Sequence, residues 1–152
     1  MEKSHDVTVL NTLIATTLDS MKGYREAAGD SENSAHSQFF NRMAEERSQV
    51  ASDLQAQVRA LGGDPETESS TAGAAHRGWV NLKSAVTGRD EEAIVNEVER
   101  GEEDYIKTKF ETAMQDDGLS AETRGKLEKS FESIRRGHDQ ASQMKHGMAG
   151  VD

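Results

Sequence analysis

The stretch GGDPETESSTAGAAHRGWVNLKSAVTGR, residues 62–89, decides how this chain folds. It opens with Gly62-Gly63-Asp64-Pro65, a combination that ends a helix, because glycine accepts a left-handed backbone and proline cannot continue the ladder. It closes at Gly88, ahead of Asp90-Glu91-Glu92, which supply a cap and acids where a helix dipole favours them. The stretch is far longer than the few residues of a tight helix–helix turn. It also carries its own helical piece, residues 71–87, with Ala72, Ala75, Trp79, Leu82 and Val86 on one side. A connection able to span a bundle makes the elements before and after it parallel.

Outward from that crossover, apolar residues recur at helical spacing on both sides. In residues 7–29 they are Val7, Leu10, Leu13, Ile14, Leu18, Met21 and Ala28; in 31–61 they are Phe39, Phe40, Met43, Val50, Leu54, Val58 and Leu61. In 90–116 they are Ile94, Val95, Val98, Tyr105, Ile106 and Ala113, and Phe110 falls off that stripe. In 120–147 they are Leu127, Phe131, Ile134, Ala141 and Met144 or Met148. Gly29-Asp30-Ser31 ends the first helix and supplies a cap for the second, Gly118 and Ser120 do the same before the fourth, and the tail 147–152 is expected to fray. Short connections make helices one and two antiparallel, and likewise three and four. Two antiparallel pairs joined by one long crossover with a short helix in it is the layout of an all-α, ferritin-like four-helix bundle. The expected organisation is one domain over residues 1–152, with the crossover at 62–89.

Composition bounds the function. Leu, Ile, Val and Phe number only 25 of 152 residues, low enough to raise disorder, yet four one-faced helices can hide their stripes against each other. No cysteine is present, which excludes disulfides and thiol chemistry, and no apolar run is long enough for a membrane span. A net charge of −10, with no face gathering Lys and Arg, argues against a nucleic-acid partner. Met1–Asp6 is charged, unlike a secretory signal, and a cytoplasmic location is expected. Phosphate-binding glycine loops and a nucleophile elbow are missing.

The informative residues interrupt the stripes. Arg25 on helix one, His36 and Arg47 on helix two, Glu102 on helix three and His138 on helix four project inward, with Glu46 at an edge. Glu46, Arg47, Glu102 and His138 fall at about one depth. Buried charges must pair or bind metal. One reading is therefore a buried polar network of Arg25, His36, Arg47, Glu102 and His138; the other is a mononuclear iron or zinc site from Glu46, Glu102 and His138. A di-metal centre needs a Glu-x-x-His pair on two helices and further carboxylates. Glu45-Glu46-Arg47-Ser48-Gln49 resembles the Glu-Glu-Arg-x-His of a ferritin second helix but has Gln49 in place of His, and Arg135 stands three residues before His138 where a Glu belongs. Asp19 and Glu26 project away from the stripe of helix one, so its carboxylate ligand is missing too. His76 and Trp79 share a side of the crossover helix, either packing it on the bundle or lining a small-molecule pocket beneath it. Tyr24 and Tyr105 read as core-edge tyrosines with hydroxyls in water.

Gly23-Tyr24-Arg25-Glu26-Ala27-Ala28, Leu61-Gly62-Gly63-Asp64-Pro65, Ala75-His76-Arg77-Gly78-Trp79, Glu99-Arg100-Gly101-Glu102 and His138-Asp139, in this order, resemble a bacterial family of short ferritin-like bundles. That family is catalogued as a domain of unknown function with Pseudomonas-type representatives, and the similarity covers about residues 7–145. The resemblance implies a ferritin-like fold in a bacterial cytoplasmic protein and brings no catalytic residues. The expected function is a non-enzymatic bundle, structural or stress-related, that self-associates or binds a protein partner. No cofactor is expected on that reading, with iron or zinc binding as the alternative.

Overall fold

The computed structural model describes residues 2–68 and 91–149. Every regular element among them is helical: α1 (Glu2–Asp30), α2 (Ser34–Ala60), α3 (Glu91–Gly101), a π-helical segment (Glu102–Lys107), α4 (Thr108–Met114) and α5 (Ala121–Ala149). The three consecutive pieces from Glu91 to Met114 form one rod, so four rods make a helical bundle. None of the described helices is long and apolar enough to cross a membrane. The crossover helix expected at 71–87, with His76 and Trp79, lies outside the described residues.

Turn chemistry sets the rod ends, with one shift from expectation. Asn33, rather than a residue of Gly29-Asp30-Ser31, caps α2: its side chain accepts the His36 N–H at 3.0 Å. The Ser37 hydroxyl donates back to the Ala28 carbonyl at 3.0 Å and closes the hairpin. After α2, Gly62 takes φ 83° and its N–H returns to the Arg59 carbonyl, the left-handed ending that glycine permits. Gly63 then lies so close to Val7 that an added Cβ would come within 2.8 Å of it. At the start of α5 the Ser120 hydroxyl accepts the Thr123 N–H at 3.2 Å, the cap read from the sequence. Helix α5 runs to Ala149, and the rest of the tail, 150–152, lies outside the described residues.

Rod directions follow from what meets at one end. The start of α1 holds the start of α5 through Asp6 with Ser120 and Thr123. The same end receives the finish of α2, where Gly63 meets Val7, and the finish of the third rod, where Asp116 meets His5. So α1 and α5 run one way, and α2 and the third rod run the other. Rods two and three are therefore parallel, as the long crossover demanded. Packing neighbours form a ring in which α1 and α5 each touch α2 and the third rod. The chain leaving α2 turns back along the α1–α2 face, where Asn11 and Gln55 hold the backbone of Asp64 and Glu66.

The core has two halves. One gathers Tyr24, Phe39, Phe40, Met43, Ile94 and Val98; the other gathers Leu10, Leu13, Leu54, Ile106, Phe110 and Leu127. Phe110 is fully buried although it falls off an ideal α-helical stripe. The π-helical segment explains this. Its i→i+5 bonding takes up an extra residue and turns the following face by roughly 100°, one residue's rotation. Ile106, Phe110 and Ala113 then point where Ile94, Val95 and Val98 point.

Candidate functional site

Between the two core halves lies a polar layer. Helix α1 contributes Thr16, Thr17, Asp19 and Ser20, all buried, α2 contributes the fully buried Arg47, and α5 contributes Gly137. The threonines satisfy themselves within the helix, donating to the carbonyls four residues back at 2.9 and 2.7 Å. Asp19 accepts the Tyr105 hydroxyl at 2.6 Å. Burial, and after it this bond to Asp19, push the Tyr105 hydroxyl well above the usual tyrosine range. Both tyrosines are interior, Tyr24 completely so, and the hydroxyl of Tyr105 meets a carboxylate rather than water.

These placements correct the projection of α1. Arg25 is exposed and takes no part in the layer, while Asp19, expected to point away, is fully buried. The inward face of α1 runs through Leu10, Leu13, Thr17, Ser20, Tyr24 and Ala27. Weighting by large apolar residues centred it on Ile14, Leu18 and Met21, of which the last two are only half-buried. Small hydroxyl residues hold the true centre, and they carry no hydrophobic signal.

Arg47 is the largest fully buried side chain of the described residues. Its guanidinium lies 5.7 Å from the centre of the Tyr24 ring, within cation–π range. It also rests on Gly137, where an added Cβ would collide with both the guanidinium and the Met43 methyl. Glycine at 137 makes the room that a long cation needs between α2 and α5. The contact sets Arg47 level with Gly137, so Glu46, Arg47 and His138 do fall at one depth. His138 is half-buried, with Nδ1 3.4 Å from an oxygen of its neighbour Asp139. Glu46 is half-buried at the outer edge of the α2–α5 seam, alongside Arg136. His36 is half-buried near the start of α2 against Phe40, about three turns from Arg47, and is not part of the same layer. The side chain of Glu102, first residue of the π-helical segment, is outside the described set.

Among the described residues no three His, Asp or Glu side chains gather in a metal-binding group. The positions that a di-metal bundle would use do not fit one. Gln49 and Arg135 are exposed, and the interior at that depth is occupied by the Arg47 cation.

Two further features lay outside the sequence reading. At the bundle end Asp6 is fully buried, accepting the Ser120 hydroxyl at 2.6 Å, the Thr123 hydroxyl at 2.7 Å and the Ser120 N–H at 3.1 Å. Burial pushes its carboxyl up, but these bonds and the nearby His5 outweigh that and hold it below the ordinary carboxylate range. Beside it His5 pairs with Asp116 at 2.8 Å, and Arg124 donates to the carbonyls of Met114 and Asp116. The only sequence signal for this clamp was the cap expected at Ser120. The second feature is a groove of roughly 690 Å³ along the α2–α5 seam. Val50 and Leu54 floor it, Glu46 and Asp53 edge it on α2, and Lys129 and Arg136 edge it on α5.

Residues 6–116 match the model of a family described as a domain of unknown function, DUF2383, a span that takes in all but the first residues of α1, all of α2 and the whole third rod. No curated protein matches the chain.

Proposed function

We propose a non-enzymatic, partner-binding role for this chain, which belongs to the DUF2383 family of domains of unknown function. The bundle it rests on is read as ferritin-like, supported by parallel second and third rods and a ring of antiparallel neighbours. The observation that carries the non-enzymatic reading is Arg47. A guanidinium cannot lose its charge in a protein, and this one sits fully buried on Gly137 and against Tyr24. It takes up the interior space, at the level of Glu46 and His138, where a ferritin-like protein gathers carboxylates around metal. The polar layer then serves to fix helix register, the use for buried polar groups that is best attested. A structural or stress-related role in a bacterial cytoplasm accords with a chain of net charge −10 that has no cysteine.

A second reading keeps a mononuclear iron or zinc site at Glu46, Glu102 and His138. It draws on the common depth of Glu46 and His138. Elemental analysis of protein purified without chelator separates the two, with His138→Ala as the control. The proposed reading expects metal well below one equivalent in both proteins. About one equivalent of iron or zinc, lost in His138→Ala, would overturn it.

A further inference from the structure

The groove on the α2–α5 seam has walls of opposite sign. Glu46 and Asp53 lie on the α2 side, and Lys126, Lys129 and Arg136 on the α5 side, where Glu132 is the one exception among the charged lining residues. Opposite charges facing each other across a seam ordinarily pair. Here, among the described residues, none of Glu46, Lys126, Lys129, Glu132 or Arg136 is in an ion pair, and Asp53 bonds only to Gln49 of its own helix. At the floor, Gln57 is 4% exposed and its side-chain nitrogen has no hydrogen-bond partner. A buried amide donor left open is costly. The chain that leaves α2 does not cover this groove at its start, because residues 64–66 are bound to the α1–α2 face.

The charges are also spaced in register. Gly137 rests on Arg47, which sets Arg136 level with Glu46. Asp53 follows Glu46 by seven residues on α2, and Lys129 precedes Arg136 by seven on α5. The helices are antiparallel, so both steps move the same way by two turns, about 10 Å. A twofold axis parallel to the helices would lay the α2 wall of one copy against the α5 wall of another. That operation sets Glu46 opposite the Arg136 of a second copy, and Asp53 opposite its Lys129, each pair occurring twice. A twofold axis across the helices would instead oppose like charges, which is repulsive.

We infer that a second copy of this chain docks in the α2–α5 groove, about a twofold axis parallel to the bundle. The interface is isologous, as closed dimers require, and it covers Val50, Leu54 and Gln57 while pairing charges that have no partner within the chain. This supplies the partner in the partner-binding reading above and rests on it. The net charge of −10 per copy opposes association at long range, but salt of about 0.15 M screens charges beyond roughly 8 Å and leaves contact pairs largely intact.

Sedimentation equilibrium of the full chain at that salt tests the assignment, with circular dichroism confirming that each variant folds. The wild type is expected to reach a dimer with rising concentration. Asp53→Lys and Lys129→Asp, both at exposed positions, each weaken it by about tenfold or more, because each breaks two contacts and creates two repulsions. Combining them restores affinity to within a few fold, since the pair is re-formed with reversed sign. A chain monomeric at every concentration overturns the assignment, as does a dimer indifferent to both substitutions or a double variant no tighter than the single ones. The metal measurement is independent: a metal-free monomer removes the dimer alone, whereas stoichiometric metal at His138 removes the non-enzymatic reading beneath it.

Discussion

Gly137 and Gly125 occupy the same helix and answer the same substitution in opposite ways. Alanine is the better helix former by roughly 1 kcal/mol, so an open glycine gains from the change. Gly125 is exposed with nothing within 4 Å of a new Cβ, and Gly125→Ala is expected to stabilise by up to about 1 kcal/mol. At Gly137 the new methyl strikes the Arg47 guanidinium and the Met43 methyl. Both are flexible side-chain tips, but both residues are fully buried and have nowhere to retreat. Gly137→Ala is expected to destabilise by about 1–3 kcal/mol, the usual cost of overpacking. Urea midpoints of the two variants check the contrast, and a stabilised Gly137→Ala would remove Arg47 from the seam. Inward placement of Arg47 was legible from helical phase, because it stands among Phe40, Met43, Val50 and Leu54. Its seat on Gly137 was not, since no sequence pattern couples residues ninety positions apart.

At the scale of the helix, the third rod shows how one irregularity changes the meaning of a pattern. A straight α-helix through 91–114 would put Phe110 at the side, whereas the π-helical segment turns it into the core beside Leu10 and Leu127. Phe110→Ala is therefore expected to cost about 3–5 kcal/mol in denaturant unfolding. A side-lying phenylalanine would cost within about 0.5 kcal/mol, so the measurement separates the two geometries cleanly. The same segment lets Tyr105 reach Asp19 while Ile106 keeps its place in the second core half. Helix α1 misled differently. Its period was plain, but the phase was set by Thr17 and Ser20, whose small side chains admit close packing, with the Thr17 hydroxyl bonded within the helix. Arg25 was consequently placed inside and Asp19 outside, both the reverse of what packing selects. Periodicity locates a helix well; its rotation about its own axis depends on what the neighbouring rods present.

For the whole molecule, the Asp6 clamp joins the first rod to the last, with Asp6 and Thr123 117 positions apart in the sequence. Its carboxyl is held below the unfolded aspartate value of about 3.9, so the clamp stabilises fully above that pH and loses its contribution as pH falls through the lower folded value. Asp6→Asn is expected to lose about 1–3 kcal/mol at pH 7, because the amide presents donors to Ser120 and Thr123, which already donate. The gap to the wild type should narrow below about pH 4, as the unfolded carboxyl takes up its proton ahead of the native one. Denaturant unfolding at about pH 7 and pH 3 checks this, and an unchanged gap would mean that Asp6 does not carry the charge. The number of rods, their ends at Gly62 and Ser120, and the parallel course of rods two and three were all settled by local chemistry and connection length. Those properties depend on neighbouring residues and on how far a chain can reach, and both are written along the sequence. The clamp, the rotation of α1, the turn of the third rod and the seat of Arg47 were decided only when four rods closed on each other. Each is a contest for interior space among side chains far apart in the chain, won by shape and hydrogen-bond geometry rather than by hydrophobicity.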